Sequence, residues 1–275
     1  MKCMSRELLA VLPPRLRNSL GPELPEDLCE IRLRLNKRVC LVTETESKYL
    51  GTVITGEDLS WVIGAASRHS PWNSATMAKG YLTAPGGHRI GVCGQAVLEN
   101  GRVSGMKNLR SLCIRVARDF PGLGRGIDLR ESTLILGPPG SGKTTLLRDL
   151  IRRISRMDRG SISVVDEREE LFPQGAFDPG DNTDILTGCS KPDGIDMTLR
   201  AMGPAWIAVD EITAQEDCRA LIRAGWCGVK LMATAHASGI EDLMSRPVYR
   251  PLLQTGLFRS AVVLRRDRHM ERVVL

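Results

Sequence analysis

Residues Gly137-Pro138-Pro139-Gly140-Ser141-Gly142-Lys143-Thr144 spell G-P-P-G-S-G-K-T, a complete G-x-x-x-x-G-K-[ST] loop. The flanks say how it folds. Ser132-Thr133-Leu134-Ile135-Leu136 is a short apolar run that reads as a buried strand, and Leu146, Leu147, Leu150 and Ile151 have helical spacing. Strand, glycine-rich turn and helix in that order curl successive backbone N–H groups toward a phosphate, and the helix N-terminus adds positive partial charge. Gly137 to Thr144, with Thr145 behind them, therefore form a predicted nucleotide-binding segment. In such a loop the lysine, here Lys143, reaches the β- and γ-phosphates, and the hydroxyl residue, here Thr144, ligates Mg²⁺.

A second motif adds chemistry to binding. Trp206-Ile207-Ala208-Val209-Asp210-Glu211 is an apolar strand ending in two acids. In phosphate-loop proteins an acid at such a strand end holds Mg²⁺, which suits Asp210. The next acid, Glu211, is placed to polarise an attacking water. Paired acids at a strand end are commonly solvated surface, but a preceding phosphate loop shifts the balance toward NTP hydrolysis.

The 275-residue chain has room for two modest domains. It contains no run near the roughly 18 apolar residues of a membrane span. Met1-Lys2-Cys3-Met4-Ser5-Arg6-Glu7 lacks the apolar stretch of a secretory signal. The expectation is a cytosolic protein, attached to a membrane only through a partner. Eight cysteines are scattered without a C-x-x-C pair, and the four histidines form no H-x-x-x-H pair. Neither a zinc site nor a disulfide framework is expected, and Mg²⁺ arriving with nucleotide is the one metal predicted. Residues 1–120 hold 17 Lys+Arg against 11 Asp+Glu, whereas residues 121–275 hold 21 of each. That basic excess fits a nucleic-acid surface, arginines aimed at phosphates of a neighbouring subunit, or a solvated face.

Asp119-Phe120-Pro121-Gly122-Leu123-Gly124-Arg125-Gly126 breaks any periodic element and divides the chain into domains 1–120 and 121–275. Before it the pattern is α+β. A short helix over 6–12 is ended by Pro13-Pro14, and a hairpin joins 31–35 to 39–42. A helix covers 59–67, two strands flank Pro85-Gly86-Gly87 within 80–94, and a last strand covers 112–117. After it, strands at 132–136, 161–166, 205–210, 229–234 and 260–265 alternate with helices near 143–156, 195–202, 215–225 and 239–255. That alternation implies βαβ units and a mostly parallel sheet, with 272–275 as an edge strand.

The chain resembles the RecA-like secretion ATPases that power pilus retraction and type II and type IV export, and most of all their sporulation branch from endospore-forming bacteria. The resemblance runs over nearly the whole chain. It rests on Glu30-Ile31-Arg32-Leu33-Arg34, Gly80-Tyr81 with Gly86-Gly87-His88-Arg89-Ile90-Gly91, the phosphate loop, Val165-Asp166-Glu167-Arg168-Glu169-Glu170, Leu199-Arg200-Ala201-Met202-Gly203-Pro204, Asp210-Glu211-Ile212 and Ala233-Thr234-Ala235-His236-Ala237. It implies a RecA-like P-loop domain behind a smaller α+β domain, ATP and Mg²⁺ as ligands, and a hexameric ring. It implies a motor in the mother-cell cytoplasm, peripheral at the membrane, that docks on membrane proteins of a sporulation channel and energises transport between mother cell and forespore.

It also implies roles for single residues. Asp166 to Glu170 match an acidic box near the γ-phosphate, with Asp166 where many relatives carry Glu and Arg168 where they often carry Pro. The water-positioning acid therefore stays open among Asp166, Glu170 and Glu211. Thr234 and His236 match a histidine box that senses the γ-phosphate. Arg110 and Arg115 fall where interdomain arginines reach bound nucleotide, and Arg200 is a further candidate. Gly86-Gly87-His88-Arg89 is expected to be a tight hairpin with His88 and Arg89 packing at the domain interface. A nucleic-acid-stimulated hexameric translocase is the main rival, but 4% aromatic residues offer few stacking platforms, so nucleic acid is not the expected partner. A small-molecule kinase fits less well, given the paired acids and the large N-terminal domain.

Overall fold

Two apolar patterns, one alternating and one continuous, give this chain two different sheets. The computed structural model describes residues 7–21, 24–67, 80–157, 160–173, 176–265, 267 and 269–275. It divides into two compact units. One runs to Arg118 and adds Pro173–Phe177; the other comprises Asp119–Phe172 and Asp178–Leu275.

In the first unit, β1 (Leu28–Arg34), β2 (Arg38–Thr43), β3 (Ser47–Val53), β4 (Tyr81–Ala84), β5 (His88–Glu99) and β6 (Arg102–Arg115) form an antiparallel sheet in the order β3-β2-β1-β6-β5-β4. Alternation decides its faces. Ile31, Leu33, Leu112 and Ile114 are buried with Leu59, Val62 and Ala66 of the helix Gly56–Ser67. The first helix stops at Ala10, short of Pro13-Pro14, and the prolines then open a second one: Pro13 is the N-cap and Pro14 the first residue of the helix Pro14–Leu20. Proline is tolerated there because its missing N–H would have no helical partner. The strand predicted at 112–117 starts ten residues earlier. Asn100 and Gly101, at φ 51° and 75°, turn β5 directly into β6, as an Asn-Gly pair does in a tight hairpin.

In the second unit, β7 (Thr133–Leu136), β8 (Ile162–Asp166), β9 (Thr183–Thr187), β10 (Trp206–Glu211), β11 (Lys230–Ala235), β12 (Ser260–Leu264) and β13 (Met270–Val274) are ordered β13-β12-β7-β11-β10-β8-β9. All neighbours pair parallel except β13, which pairs antiparallel with β12 at the edge. β7, β8 and β12 are buried at every position, as strands covered on both faces must be. The helices are Lys143–Ser155, Lys191–Ala201, Gln215–Trp226, Ile240–Ser245 and Arg250–Gln254. The single helix expected over 239–255 is broken at Arg246, which is extended at φ −90°, ψ 118° ahead of Pro247, because proline disfavours the helical conformation in its predecessor. β9, which the sequence reading did not anticipate, is a partly exposed edge strand without an apolar signal.

Residues 119–126 are not a loose connection. The buried Asp149 carboxylate accepts the Gly122 and Gly124 N–H groups at 2.7 and 2.8 Å, which ties this turn to the helix Lys143–Ser155. The chain thus has a mixed α/β fold. No described helix is long and apolar enough to cross a membrane.

Candidate nucleotide-binding and catalytic site

Sheet order decides which residues meet. β11 lies between β7 and β10, with Ala235 opposite Leu136 and Thr234 opposite Glu211. On the far side of β10, Val209 is opposite Val165 of β8. The loop after β7, the acids ending β10, the acid ending β8 and the residue after β11 therefore share one edge of the sheet, outside the carboxyl ends of its strands, where ligands bind in open α/β sheets.

In the loop, Gly140 and Gly142 stand at φ 76° and 95°, a left-handed conformation that any other residue would adopt under strain. Ser141 N–H donates to Pro138 O at 3.2 Å, and Leu146 N–H to Gly142 O at 2.9 Å as the helix begins. Lys143 is buried, and its Nζ donates to Pro138 O at 3.0 Å and lies 2.9 Å from His236 Nδ1. His236 Nε2 in turn lies 3.0 Å from Glu211 Oε2. An ammonium has no lone pair to offer, so Nδ1 is the acceptor and the imidazole proton sits on Nε2, facing the carboxylate. Burial pushes the Lys143 ammonium below the usual lysine range, against the pull of Glu211 and Asp210.

Thr144 Oγ1 donates to Asp210 Oδ1 at 3.5 Å. The Asp210 carboxyl is pushed up to about 7, first by burial and then by Asp166, Glu170 and Glu211. This crowding is eased when a cation arrives. The hydroxyls of Ser141 and Thr234 are buried without a hydrogen-bond partner. Orphaned donors in the loop and on β11, with a cation and an acid pair beside them, fit a phosphate-bearing ligand carrying a divalent metal.

Asp166, at the same edge, is turned toward its own loop. It is fully buried; Oδ1 accepts the Glu170 N–H at 2.9 Å, and Oδ2 accepts those of Leu171 and Phe172 at 2.9 and 3.0 Å. Burial raises its pKa against those three donors. Its oxygens hold the turn of the acidic box. Glu170 is partly exposed, and its carbonyl accepts from Arg148 at 3.0 Å.

Arg148 escaped the sequence reading. It is buried in the helix Lys143–Ser155, donates to Leu171 O as well, and is pushed down to about 10 by burial. It links the phosphate-loop helix to the acidic box. Lys191, the first residue of its helix, was also missed; it is buried, with Nζ 2.6 Å from Glu167 Oε2. Ser190, whose side chain accepts the Asp193 N–H, followed by Pro192, was the legible sign of that helix start.

Arg115 and Arg110 do not share a face. Arg110 has the strand parity of buried Leu112 and Ile114, and Arg115 the opposite parity. Arg115 is exposed and lies level with Glu30 on β1 and Arg89 on β5. Glu30 is paired with Arg32 at 2.7 Å, and Arg89 stacks over the Tyr81 ring at 3.9 Å. Arg32, Arg89 and Arg115 thus gather on the sheet face away from the apolar core. His88 is fully buried and its Nδ1 accepts the Ala117 N–H at 3.1 Å, a packing role inside the first unit. Gly86 and Gly87, at φ 78° and 75°, make the turn before it. Arg200 is exposed in the last turn of its helix.

Comparison with known proteins gives a consistent setting. The family model for sporulation stage III, protein AA matches residues 4–274. The chain is 36% identical to stage III sporulation protein AA of Bacillus subtilis over 96% of its own length and 90% of that protein's. It is 30% identical to competence protein ComGA of Streptococcus pneumoniae over 54% of this chain and 44% of that one. Among solved structures, the Legionella pneumophila ATPase DotB superposes with a TM-score of 0.59 at 15% identity, covering 89% of this chain and 75% of that one. The pilus retraction motor PilT with bound ADP superposes with a TM-score of 0.59 at 15% identity over 86% and 74%. At such identities the likeness is one of fold.

Proposed function

The chain belongs to the sporulation stage III protein AA family, and from that membership we propose that it is a Mg²⁺-dependent ATP hydrolase of the secretion-ATPase type, with a RecA-like domain behind a smaller α+β domain. The observation that carries this reading is the chain of contacts from Pro138 through Lys143 and His236 to Glu211 at the end of β10. It joins a phosphate-binding cation to a candidate base through one imidazole.

In this reading the loop N–H groups from Gly137 to Thr145 bind the phosphates, and Lys143 leaves Pro138 O and His236 to pair with them. Thr144 and Asp210 would hold Mg²⁺, which supplies charge neutralisation on the phosphate oxygens. Glu211 accepts a proton from the attacking water, and His236 orients that carboxylate through Nε2–H. Asp166 and Arg148 keep the acidic box, with Glu170, in place beside it. Arg115, on the same sheet face as Arg89 and Arg32, is the arginine offered to nucleotide in a hexameric ring. Arg110, on the other face, is assigned a separate contact.

Membership of the family supports a biological setting. We assign the protein to the mother-cell cytoplasm, peripheral at the membrane, driving a channel to the forespore by docking on its membrane proteins. DotB is an ATPase and PilT a pilus retraction motor with bound ADP, and their likeness in fold supports a nucleotide-driven motor. The test is ATP binding and phosphate release by the purified protein with and without Mg²⁺. Failure to bind ATP by protein that is folded overturns the reading.

The arginine-bearing face with Tyr81 favours one alternative, a nucleic-acid-stimulated translocase. Single-stranded DNA that raises ATP turnover at physiological salt would select it; no stimulation leaves the channel motor.

A further inference from the structure

The acids at the site outnumber the cations, and one of those cations lies where a cation is least welcome. Lys191 opens the helix Lys191–Ala201, where the helix dipole disfavours positive charge. Its side chain is also 6% exposed, and burying an ammonium is costly unless it is paired. Glu167 supplies the pair, with Oε2 2.6 Å from Nζ and a side chain 40% exposed. The acid thus reaches inward from the rim to a buried cation.

Glu167 directly follows Asp166 at the end of β8, and β8 runs parallel beside β10 with Val165 level with Val209. Glu167 therefore opens the turn at the end of the strand beside β10, whose last residues are Asp210 and Glu211. Neighbouring strands lie about 4.8 Å apart, a distance a glutamate side chain spans. An unrestrained carboxylate there would compete as a hard oxygen ligand for any divalent cation carried by nucleotide. The charge of Lys191 also acts on Asp210, so Lys191 belongs to the electrostatic neighbourhood of that carboxyl.

We propose that Lys191 is a positioning residue that pins the Glu167 carboxylate and so keeps it out of the coordination of nucleotide-borne metal, leaving that place to Thr144 and Asp210. This rests on the ATPase reading above, and it adds to it a residue that sets metal affinity. The pairing is more than a staple across a loop. It decides how many carboxylates a Mg²⁺ ion meets, and Mg²⁺ held by too many protein ligands is released slowly with product.

The test is Mn²⁺ binding, followed by electron paramagnetic resonance, to full-length protein loaded with a non-hydrolysable ATP analogue. Lys191→Met should tighten Mn²⁺ by roughly tenfold and slow turnover, with the analogue's metal-free affinity unchanged. Glu167→Gln alone should bind Mn²⁺ as the parent does, and Lys191→Met with Glu167→Gln should return to the parent value. Lys191→Arg should retain it. If Lys191→Met does not fold, Lys191→Gln serves in its place, since its amide still hydrogen-bonds but cannot hold a carboxylate by charge. Mn²⁺ affinity unchanged in Lys191→Met, or a change that persists in the double variant, overturns the proposal. A parent protein that binds no metal–nucleotide at all would instead overturn the ATPase reading, and this proposal with it.

Discussion

At the scale of single residues, two side chains divide binding from turnover. Lys143→Ala removes the one buried cation of the loop, so ATP binding should be lost in a fluorescent-nucleotide titration. Glu211→Gln keeps a hydrogen-bond acceptor for His236 Nε2 but no base, and should bind ATP while turning it over about 10²–10⁴-fold more slowly. Near-parental turnover would move the water-positioning role to Asp166 or Glu170, of which Glu170 is the partly exposed one. Asp210 gives a stability prediction with a definite sign. With its carboxyl pushed up to about 7 in the fold and near 4 when unfolded, the native state holds the extra proton between those values. Stability of the nucleotide-free protein should therefore fall as pH rises from about 4 to about 7, by at most about 1.4 kcal/mol per pH unit from this group. Asp210→Asn should flatten that slope in urea titrations at several pH values. A slope unchanged by the substitution would assign the dependence to other groups.

At the scale of elements, the helix Lys143–Ser155 carries more than its phosphate-loop end. Its apolar residues fill the core, yet Arg148, Asp149 and Arg152 are buried as well. Asp149 accepts two backbone N–H groups of the 119–126 turn and lies 3.5 Å from Arg152, which also pairs with Asp119 at 2.6 Å. Asp149→Ala leaves buried donors without an acceptor and a buried guanidinium short of an anion. The expected loss is about 3–5 kcal/mol, read from urea unfolding followed by circular dichroism. A loss under 1 kcal/mol would mean that water satisfies those groups.

At the scale of the whole molecule, the question is whether the arginine face of the six-stranded sheet serves a nucleotide. Arginines that meet a transferring phosphate contribute about 10³–10⁵ in rate in other NTPases. Arg115→Ala and Glu211→Gln should each be nearly inactive alone. Mixed in one ring, they create boundaries where an intact Arg115 meets an intact Glu211, so turnover should partly return. No recovery in oligomers shown by mass to be mixed would put Arg115 to work within its own chain or leave it a surface residue. Arg110→Ala, on the opposite strand face, should not complement in the same way.

The sequence alone determined the local signals: the phosphate loop between a buried strand and a helix, the paired acids ending β10, and the βαβ alternation whose strands are found within a residue or two at each end. These are legible because loop chemistry and apolar periodicity act over a few neighbouring residues. The Asn100-Gly101 turn and the Ser190 cap ahead of Pro192 are local signals of the same kind. Tertiary structure alone decided which strand ends become neighbours, and with that the contacts of Lys143 with His236 and of His236 with Glu211. It alone turned Asp166 toward its own loop and buried Arg148 and Lys191. A charged residue reads as surface until its partner is known, and these partners lie far along the chain: Asp119 and the Glu170 and Leu171 carbonyls for Arg148, Glu167 for Lys191. Burial of a charge is a property of the pair, and the pair exists only once the sheet order has brought its two halves together.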